Sequence, residues 1–341
     1  MLYPYLRNAL FLLDAERSHK LGLGGLKCIQ NTPFLNLVSQ QLPSVPRKVM
    51  GIDFPNPIGL AAGLDKNGEC INAFSAMGFG FVEVGTVTPH PQPGNPLPRM
   101  FRLADHHAVI NRMGFNNDGV DKLIKNIESA KFEGILGINI GKNFDTPVEE
   151  AARDYRIGMQ RVYPFASYIV INISSPNTPN LRQLQFGEAL HELLEMIKNE
   201  QEKLATQHGR RVPVAIKIAP DLSSGEIEQL AEAFSQANID GVIATNTTND
   251  RNAIKGHKHE TQSGGLSGLP LLSKSNEIIR RLRHSLDGSI PIIGVGGVTC
   301  AHHVEEKIEA GADLVQIYTG LIYAGPTLIK ESVLKLAEHQ T

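Results

Sequence analysis

The chain has 341 residues, 33 Lys+Arg against 35 Asp+Glu, a formal net charge of -2 and 41% hydrophobic residues. That length allows about two average domains or one large α/β barrel with an extension, and a charged fraction of 20% with a normal Gly and Pro content excludes a disordered or collagen-like chain. The near-neutral balance excludes nucleic-acid binding by broad phosphate neutralisation, and the scattered Cys28, Cys70 and Cys300 suggest neither a disulfide framework nor a metal site.

In chain order, apolar residues first recur at helical spacing at Leu2, Tyr5, Leu6, Ala9, Leu10 and Leu13, which predicts a helix. Gly22-Leu23-Gly24-Gly25 predicts a break, and Phe34, Leu35, Leu37, Val38 and Leu42 predict a second short helix. Residues 1–42 are thus expected as a small helical segment ahead of a body at 43–341. One reading is an ordinary amphipathic pair packed on that body. The other is a surface that enters a membrane or admits an apolar ligand, because Phe11, Leu12 and Leu13 widen the apolar side beyond one stripe. No apolar run reaches the roughly 20 residues that span a bilayer, and no secretory or organelle presequence is legible.

From Ile58 the texture changes to short β-branched runs separated by helical stretches. Strands are predicted at 58–63, 81–85, 135–139, 168–172, 214–217, 241–245, 292–295 and 312–317, with helices at 186–205 and 223–237 among them. The latter has Ser224 as candidate N-cap and Glu226 and Glu228 in its first turn. Eight near-continuous apolar strands alternating with helices predict an α/β protein of the (β/α)8 TIM-barrel class. An open doubly wound sheet is the alternative, but it would show fewer repeats and an early GxGxxG turn. Two long insertions, 88–118 and 246–268, follow predicted strands and are candidate lids on the catalytic face.

Chemistry in such barrels sits at the C-terminal ends of the strands. Here those ends carry Lys66, Thr86, Asn139, Asn172, Lys217, Thr245-Asn246, Gly296-Gly297 and Tyr318-Thr319. Any one of them can be a satisfied structural group; all together point to a site. Gly294-Val295-Gly296-Gly297 and Tyr318-Thr319-Gly320 suit a phosphate-bearing cofactor. Lys217, flanked by Ile216 and Ile218, requires an anionic partner. A reduced flavin would serve, and Schiff-base chemistry at Lys66 or Lys217 in a phosphate-sugar enzyme is the rival use. The bland alternative is a buried pair between Lys66 and Asp65. The amides of Asn111, Asn172, Asn177 and Asn246 match the alternating N–H and C=O edge of a pyrimidine-dione.

Three segments taken together closely resemble dihydroorotate dehydrogenases: Ala61-Ala62-Gly63-Leu64-Asp65-Lys66, Asn111-Arg112-Met113-Gly114-Phe115-Asn116, and Asn172-Ile173-Ser174-Ser175-Pro176-Asn177-Thr178-Pro179. The resemblance runs from the N-terminal segment through Tyr318-Thr319. It implies an FMN-containing (β/α)8 barrel that oxidises dihydroorotate to orotate in pyrimidine synthesis. Ser175 at the base position, where the soluble class has Cys, and the N-terminal helical segment select the membrane-associated, quinone-using class.

The resemblance also implies roles. Ser175 would take the C5 proton as hydride leaves C6 for flavin N5. Lys66, Asn111, Arg112, Met113, Gly114, Phe115, Asn172, Asn177, Asn246 and Thr247 would surround the substrate. Ala62, Gly63, Leu64, Asp65, Lys66, Thr86, Asn139, Asn172, Lys217, Thr245, Gly268, Gly297, Tyr318 and Thr319 would hold FMN. A membrane quinone would be the second substrate, and residues 1–42 would rest on lipid at the cytoplasmic side of a bacterial inner membrane. A monomer without metal or nucleic acid is expected.

Overall fold

The computed structural model describes residues 3–338. Leu2, counted in the first apolar stripe, lies outside the described residues. Helix α1 (Tyr3–Phe11) is followed by α2 (Ala15–Ile29), whose start is set by the Asp14 carboxylate accepting from the backbone amides of Glu16 (3.0 Å) and Arg17 (3.1 Å). The expected break at Gly22-Leu23-Gly24-Gly25 does not occur: α2 runs straight through it. Each helical glycine costs about 1 kcal/mol relative to alanine, but Leu23 and Leu26 on the same stretch pack against the core and hold the helix there. The expected helix over residues 34–42 is only a 3-10 turn, Pro33–Leu37, capped by the Thr32 hydroxyl.

Eight parallel strands close the barrel. They are β3 (Ile58–Leu60), β4 (Phe81–Val87), β7 (Leu136–Ile140), β8 (Tyr168–Asn172), β9 (Val214–Ile218), β10 (Gly241–Ala244), β12 (Ile292–Val295) and β13 (Leu314–Ile317), and every residue in them is buried. All eight predicted runs are therefore the barrel strands. A sheet covered on both faces needs apolar side chains in and out, and that is why each reads as a near-continuous apolar run. The outer layer is α3 (Ile71–Ala76), α4 (Val120–Ala130), α5 (Ala151–Val162), α6 (Gly187–His208), α7 (Ser224–Gln236), α8 (Leu272–Ser285), α9 (Ala301–Glu309), α10 (Thr319–Ala324) and α11 (Thr327–Glu338). Helix α7 is capped by Ser223, one residue before the expected Ser224, in a reciprocal capping box with Glu226.

Two further sheets escaped the sequence reading. A hairpin, β1 (Arg47–Val49) and β2 (Ile52–Phe54), turns through Met50-Gly51 at positive φ and seals the N-terminal end of the barrel. Its Val49 and Phe54 pack with Phe81, Tyr168 and Leu314, and the Phe54 and Phe81 rings meet edge to face at 5.1 Å. At the other end, β5 (Met100–Leu103) and β6 (Ala108–Asn111) from the first long insertion join β11 (Gly265–Gly268) from the second. The two expected lids are thus partly locked into one antiparallel sheet.

The N-terminal helices dock on the barrel through apolar packing and several polar contacts. Arg99 grips the Glu16 carboxylate with Nε (3.1 Å) and Nη2 (2.9 Å), and both side chains are buried. The Tyr3 hydroxyl donates to the Ile322 carbonyl at 2.7 Å, and Lys27 pairs with Glu69 at 2.6 Å.

Candidate active site

The C-terminal strand ends and the loops after them enclose a cavity of about 990 Å³, its open mouth included. Nearly all the strand-end residues predicted from sequence line it: Lys66, Thr86, Asn172, Lys217, Thr245, Asn246, Gly297, Tyr318 and Thr319. The loop residues Ala62, Gly63, Asn111, Met113, Gly114, Phe115, Ser175, Asn177, Thr247 and Gly268 line it as well.

Four predicted residues do not. Asn139 lies just behind the wall, where its Oδ1 accepts from Thr86 Oγ1 (2.6 Å) and Asn172 Nδ2 (3.2 Å), so it orients two wall residues. Leu64 is part of the outer core. The Asp65 carboxylate accepts the amides of Glu69 and Cys70, each at 2.8 Å, and burial pushes it up to about 6. The suggested Asp65–Lys66 bond is therefore absent. Arg112 turns away to donate to Gln262 Oε1 (2.9 Å) and to stack on Phe101. Its backbone still lies between two wall residues.

Charge in the cavity is positive. Burial, then the nearby Arg99, lowers Lys66 to about 8, so it carries its proton at neutral pH, and its Nζ is 3.6 Å from Met113 Sδ. Burial also lowers Lys217, opposed by Glu83. No side-chain hydrogen bond to another described residue engages the Lys217 ammonium, so it can meet an anion in the cavity. His19 on α2 is lowered to about 3 by burial and by Lys66, hence neutral, and this coupling shows how close α2 comes to the cavity.

The two serines of the Ser174-Ser175 pair have different surroundings. Ser174 is fully buried: its Oγ donates to Asn172 Oδ1 (3.1 Å) and accepts from Asn246 Nδ2 (3.1 Å). Ser175 lines the cavity, and among the described residues its Oγ accepts only the Asn177 amide, at 3.2 Å. Asn177 Nδ2 reaches across to the Asn111 carbonyl at 3.2 Å and closes one side of the mouth.

The opposite end suits a phosphate. Gly296 and Gly297 hold φ of +115° and +86°, and a Cβ on Gly297 would fall 2.3 Å from Leu272 Cα. Gly268 is equally crowded, its Cβ falling 2.2 Å from the His107 carbonyl oxygen. On the cavity floor, Gln316 Oε1 is buried without a partner among the described residues. This wall has the donors to hold a phosphate-bearing cofactor such as FMN: the glycine backbone and Thr319 toward a phosphate, and Lys217, Asn172 and Thr86 as further polar groups.

Several residues near the site were not anticipated. Glu83, fully buried inside β4, accepts from Asn139 Nδ2 (2.9 Å), the Tyr168 hydroxyl (3.1 Å) and Gln316, making a polar layer below the cavity. A carboxylate in the middle of Val82-Glu83-Val84 was the available signal. Behind the glycine segment, the fully buried Lys307 donates to Ser275 Oγ and Asn276 Oδ1, each at 2.9 Å, and Ser275 Oγ donates to the Val295 carbonyl at 2.6 Å.

The family profile described as dihydroorotate dehydrogenase matches residues 44–339. A curated relative from Escherichia coli O1:K1 / APEC, named dihydroorotate dehydrogenase (quinone), is 59% identical over 333 residues, covering 98% of this chain and 99% of its own. The relative of the same name from E. coli strain SMS-3-5 gives the same figures. Among solved structures, DHODH from Eimeria tenella in complex with ferulenol superposes with a TM-score of 0.89 at 36% identity, covering 97% of this chain and 94% of that one. Its ligand-free form gives 0.86 at 39% identity, with 95% and 94% coverage.

Proposed function

The chain belongs to the dihydroorotate dehydrogenase family and is an oxidoreductase; from that premise we propose that it oxidises (S)-dihydroorotate to orotate, with FMN in the barrel mouth and a membrane quinone as final acceptor, in de novo pyrimidine (UMP) biosynthesis. One observation carries the reading. A single cavity wall presents the Ser175 hydroxyl, two ammonium groups and a set of asparagine amides beside a glycine-lined end. Bound FMN supplies a two-electron acceptor for the hydride that leaves C6.

Everything else is work for the side chains. Gly268, Gly297, Tyr318 and Thr319 would hold the phosphate end, while Thr86, Asn172, Lys217 and Thr245 would hold the ring, with Ala62 and Gly63 against it. Lys66, protonated below about pH 8, meets the substrate carboxylate. Asn111, Asn177, Asn246 and Thr247 match the N–H and C=O groups of the dihydropyrimidine ring. Met113, Gly114 and Phe115 cover it and exclude water.

Ser175 Oγ would take the proton from C5 as its own hydroxyl proton passes to water at the cavity mouth. A hydroxyl is a weak base, and two features help it here. The Asn177 amide donates to Oγ at 3.2 Å and so favours negative charge on that oxygen. Lys66 and Lys217, both buried, add a positive field. Ser174 is excluded from the role because both sides of its hydroxyl are already engaged.

The quinone is assigned to the apolar cluster between the N-terminal helices and the three-stranded sheet. There Phe11 and Ala15 pack against Met100, Val109, Met113 and Tyr323, and Met113 is also part of the cavity wall. No helix among the described residues is long and apolar enough to cross a membrane. Even so, the large exposed apolar side chains concentrate in this segment, led by Leu12 (88% exposed), Tyr5 (76%) and Leu37 (76%). That fits a peripheral seat on lipid at the cytoplasmic face of the inner membrane.

Stopped-flow reduction by dihydroorotate tests the assignment of the base. Ser175→Ala is expected to slow it by several orders of magnitude while orotate still binds; an unchanged rate refutes Ser175 as the base.

A further inference from the structure

Arg182 does not line the cavity, yet its guanidinium joins three loops of the catalytic face. It sits on a 3-10 turn, Leu181–Gln185, in the segment that follows β8. Its Nε donates to the Ser174 carbonyl at 3.0 Å, and its Nη2 donates to the Thr247 carbonyl at 2.9 Å. Its Nη1 pairs with Asp221 Oδ2 at 2.9 Å, and the two side chains are only 22% and 21% exposed. Asp221, in the loop after β9, also accepts from Lys274 Nζ (2.8 Å), the Asn249 amide (2.9 Å) and the Thr248 hydroxyl. Burial opposes the charge on this carboxylate, but the donors around it win and hold it at about 2.

The consequence is geometric. Ser174 and Ser175 share a peptide whose carbonyl oxygen is the Nε acceptor, and no other donor among the described residues is seen to reach it or the Thr247 carbonyl. Together with the bond from Asn246 Nδ2 to Ser174 Oγ, the guanidinium therefore sets how far the Ser175 loop stands from the Thr247 loop, and both loops line the cavity. Only a planar fork supplies three donors in fixed directions; a lysine ammonium at the same place reaches fewer of these acceptors.

We propose that Arg182, anchored by Asp221, is the positioning residue that sets Ser175 Oγ against the carbon it deprotonates. This rests on the assignment of Ser175 as the base. Arg182 lies outside the cavity lining. It acts through the Ser174 carbonyl, so its influence passes through Ser175 and vanishes when that hydroxyl is gone. Displacements of about 1 Å at a reacting group can cost about a hundredfold in rate.

A double-mutant cycle tests this, on FMN-loaded protein, with Arg182→Lys, Ser175→Ala and their combination. Three quantities are read: the single-turnover rate of flavin reduction by dihydroorotate, the Kd of orotate, and FMN content. Arg182→Lys is expected to slow reduction about 30- to 100-fold in the wild-type background, with orotate affinity changed less than about 3-fold and full FMN content. In the Ser175→Ala background the same exchange is expected to change the rate less than about 2-fold.

Equal slowing in both backgrounds overturns the proposal, because the arginine then acts elsewhere; so does no slowing in the wild-type background. A Ser175→Ala variant that runs at the full rate refutes the base itself, an outcome visible without any Arg182 variant. Should Arg182→Lys not fold, Asp221→Asn keeps both carbonyl bonds while weakening the anchor. It is expected to show the same background dependence with a loss of about 3- to 10-fold, and equal loss in both backgrounds overturns the proposal there too.

Discussion

Glu16→Gln is the exchange that isolates what holds the N-terminal helices to the barrel. Glu16 and Arg99 form a forked pair with both side chains almost fully buried, and Arg99 Nη1 also donates to the carbonyls of Pro93 (2.7 Å) and Asn95 (2.9 Å). Neutralising the acid leaves the guanidinium buried beside Lys66 without its counter-charge. Breaking such a pair from one side costs about 3–5 kcal/mol. At ~1.4 kcal/mol per tenfold, local opening of α2 is expected to rise by roughly two to three and a half orders of magnitude. Hydrogen exchange read by mass spectrometry should show this in peptides covering 15–29, with peptides of β9 unchanged. Exchange of α2 at the wild-type rate refutes the reasoning. Replacing both partners, Glu16→Leu with Arg99→Leu, should regain most of the loss, because no charge is then stranded. Burial pushes the Glu16 carboxyl up, but Arg99 outweighs it and leaves it below its ordinary value. The pair's contribution is therefore present above about pH 4.3 and is lost as pH falls through the lower folded value.

Two further outcomes follow from buried lysines. Because Lys66 is lowered to about 8, orotate affinity should fall about tenfold per pH unit above that value, and Lys66→Met should remove this dependence; equilibrium titration over the alkaline range decides, and a flat wild-type affinity contradicts it. Burial lowers Lys307 to about 7, opposed by Glu306, so the unfolded chain binds the extra proton between that value and the ordinary lysine pKa of about 10.4. The penalty for burying this ammonium is complete below pH 7 and is relieved as pH rises. Between pH 7 and 9 the wild type should gain up to ~1.4 kcal/mol per pH unit relative to Lys307→Met. Urea unfolding at the two pH values measures it, and parallel pH slopes for the two proteins refute it.

What the sequence disclosed depended on how local the signal was. Each barrel strand is buried on both faces, so runs such as Tyr168–Asn172 announced themselves without reference to anything distant, and the polar residues ending them marked the mouth. Helix α2 was misread because four residues, Gly22 to Gly25, weigh on local propensity while the packing of Leu23 and Leu26 that overrides it is tertiary. The sheet joining β5, β6 and β11 was invisible for a similar reason, since Asn111 and Gly265 pair across more than a hundred residues. Asn139 was placed one layer too far forward, because residue type at a strand end does not reveal depth. Arg182 and Lys307 gave no cue at all: Arg182 matters through backbone carbonyls, which every residue carries, and Lys307 through the side chains of Ser275 and Asn276 on a different helix.

The hairpin at the foot of the barrel has a consequence for change over time. Val49 and Phe54 pack against Phe81, Tyr168 and Leu314 at that end, while the cavity opens at the far rim. Substitutions near Met50 and Gly51 are thus judged by thermal endurance alone, while those around the rim are judged by turnover. The same protein can drift toward warmer or colder habitats at one pole without disturbing its chemistry at the other.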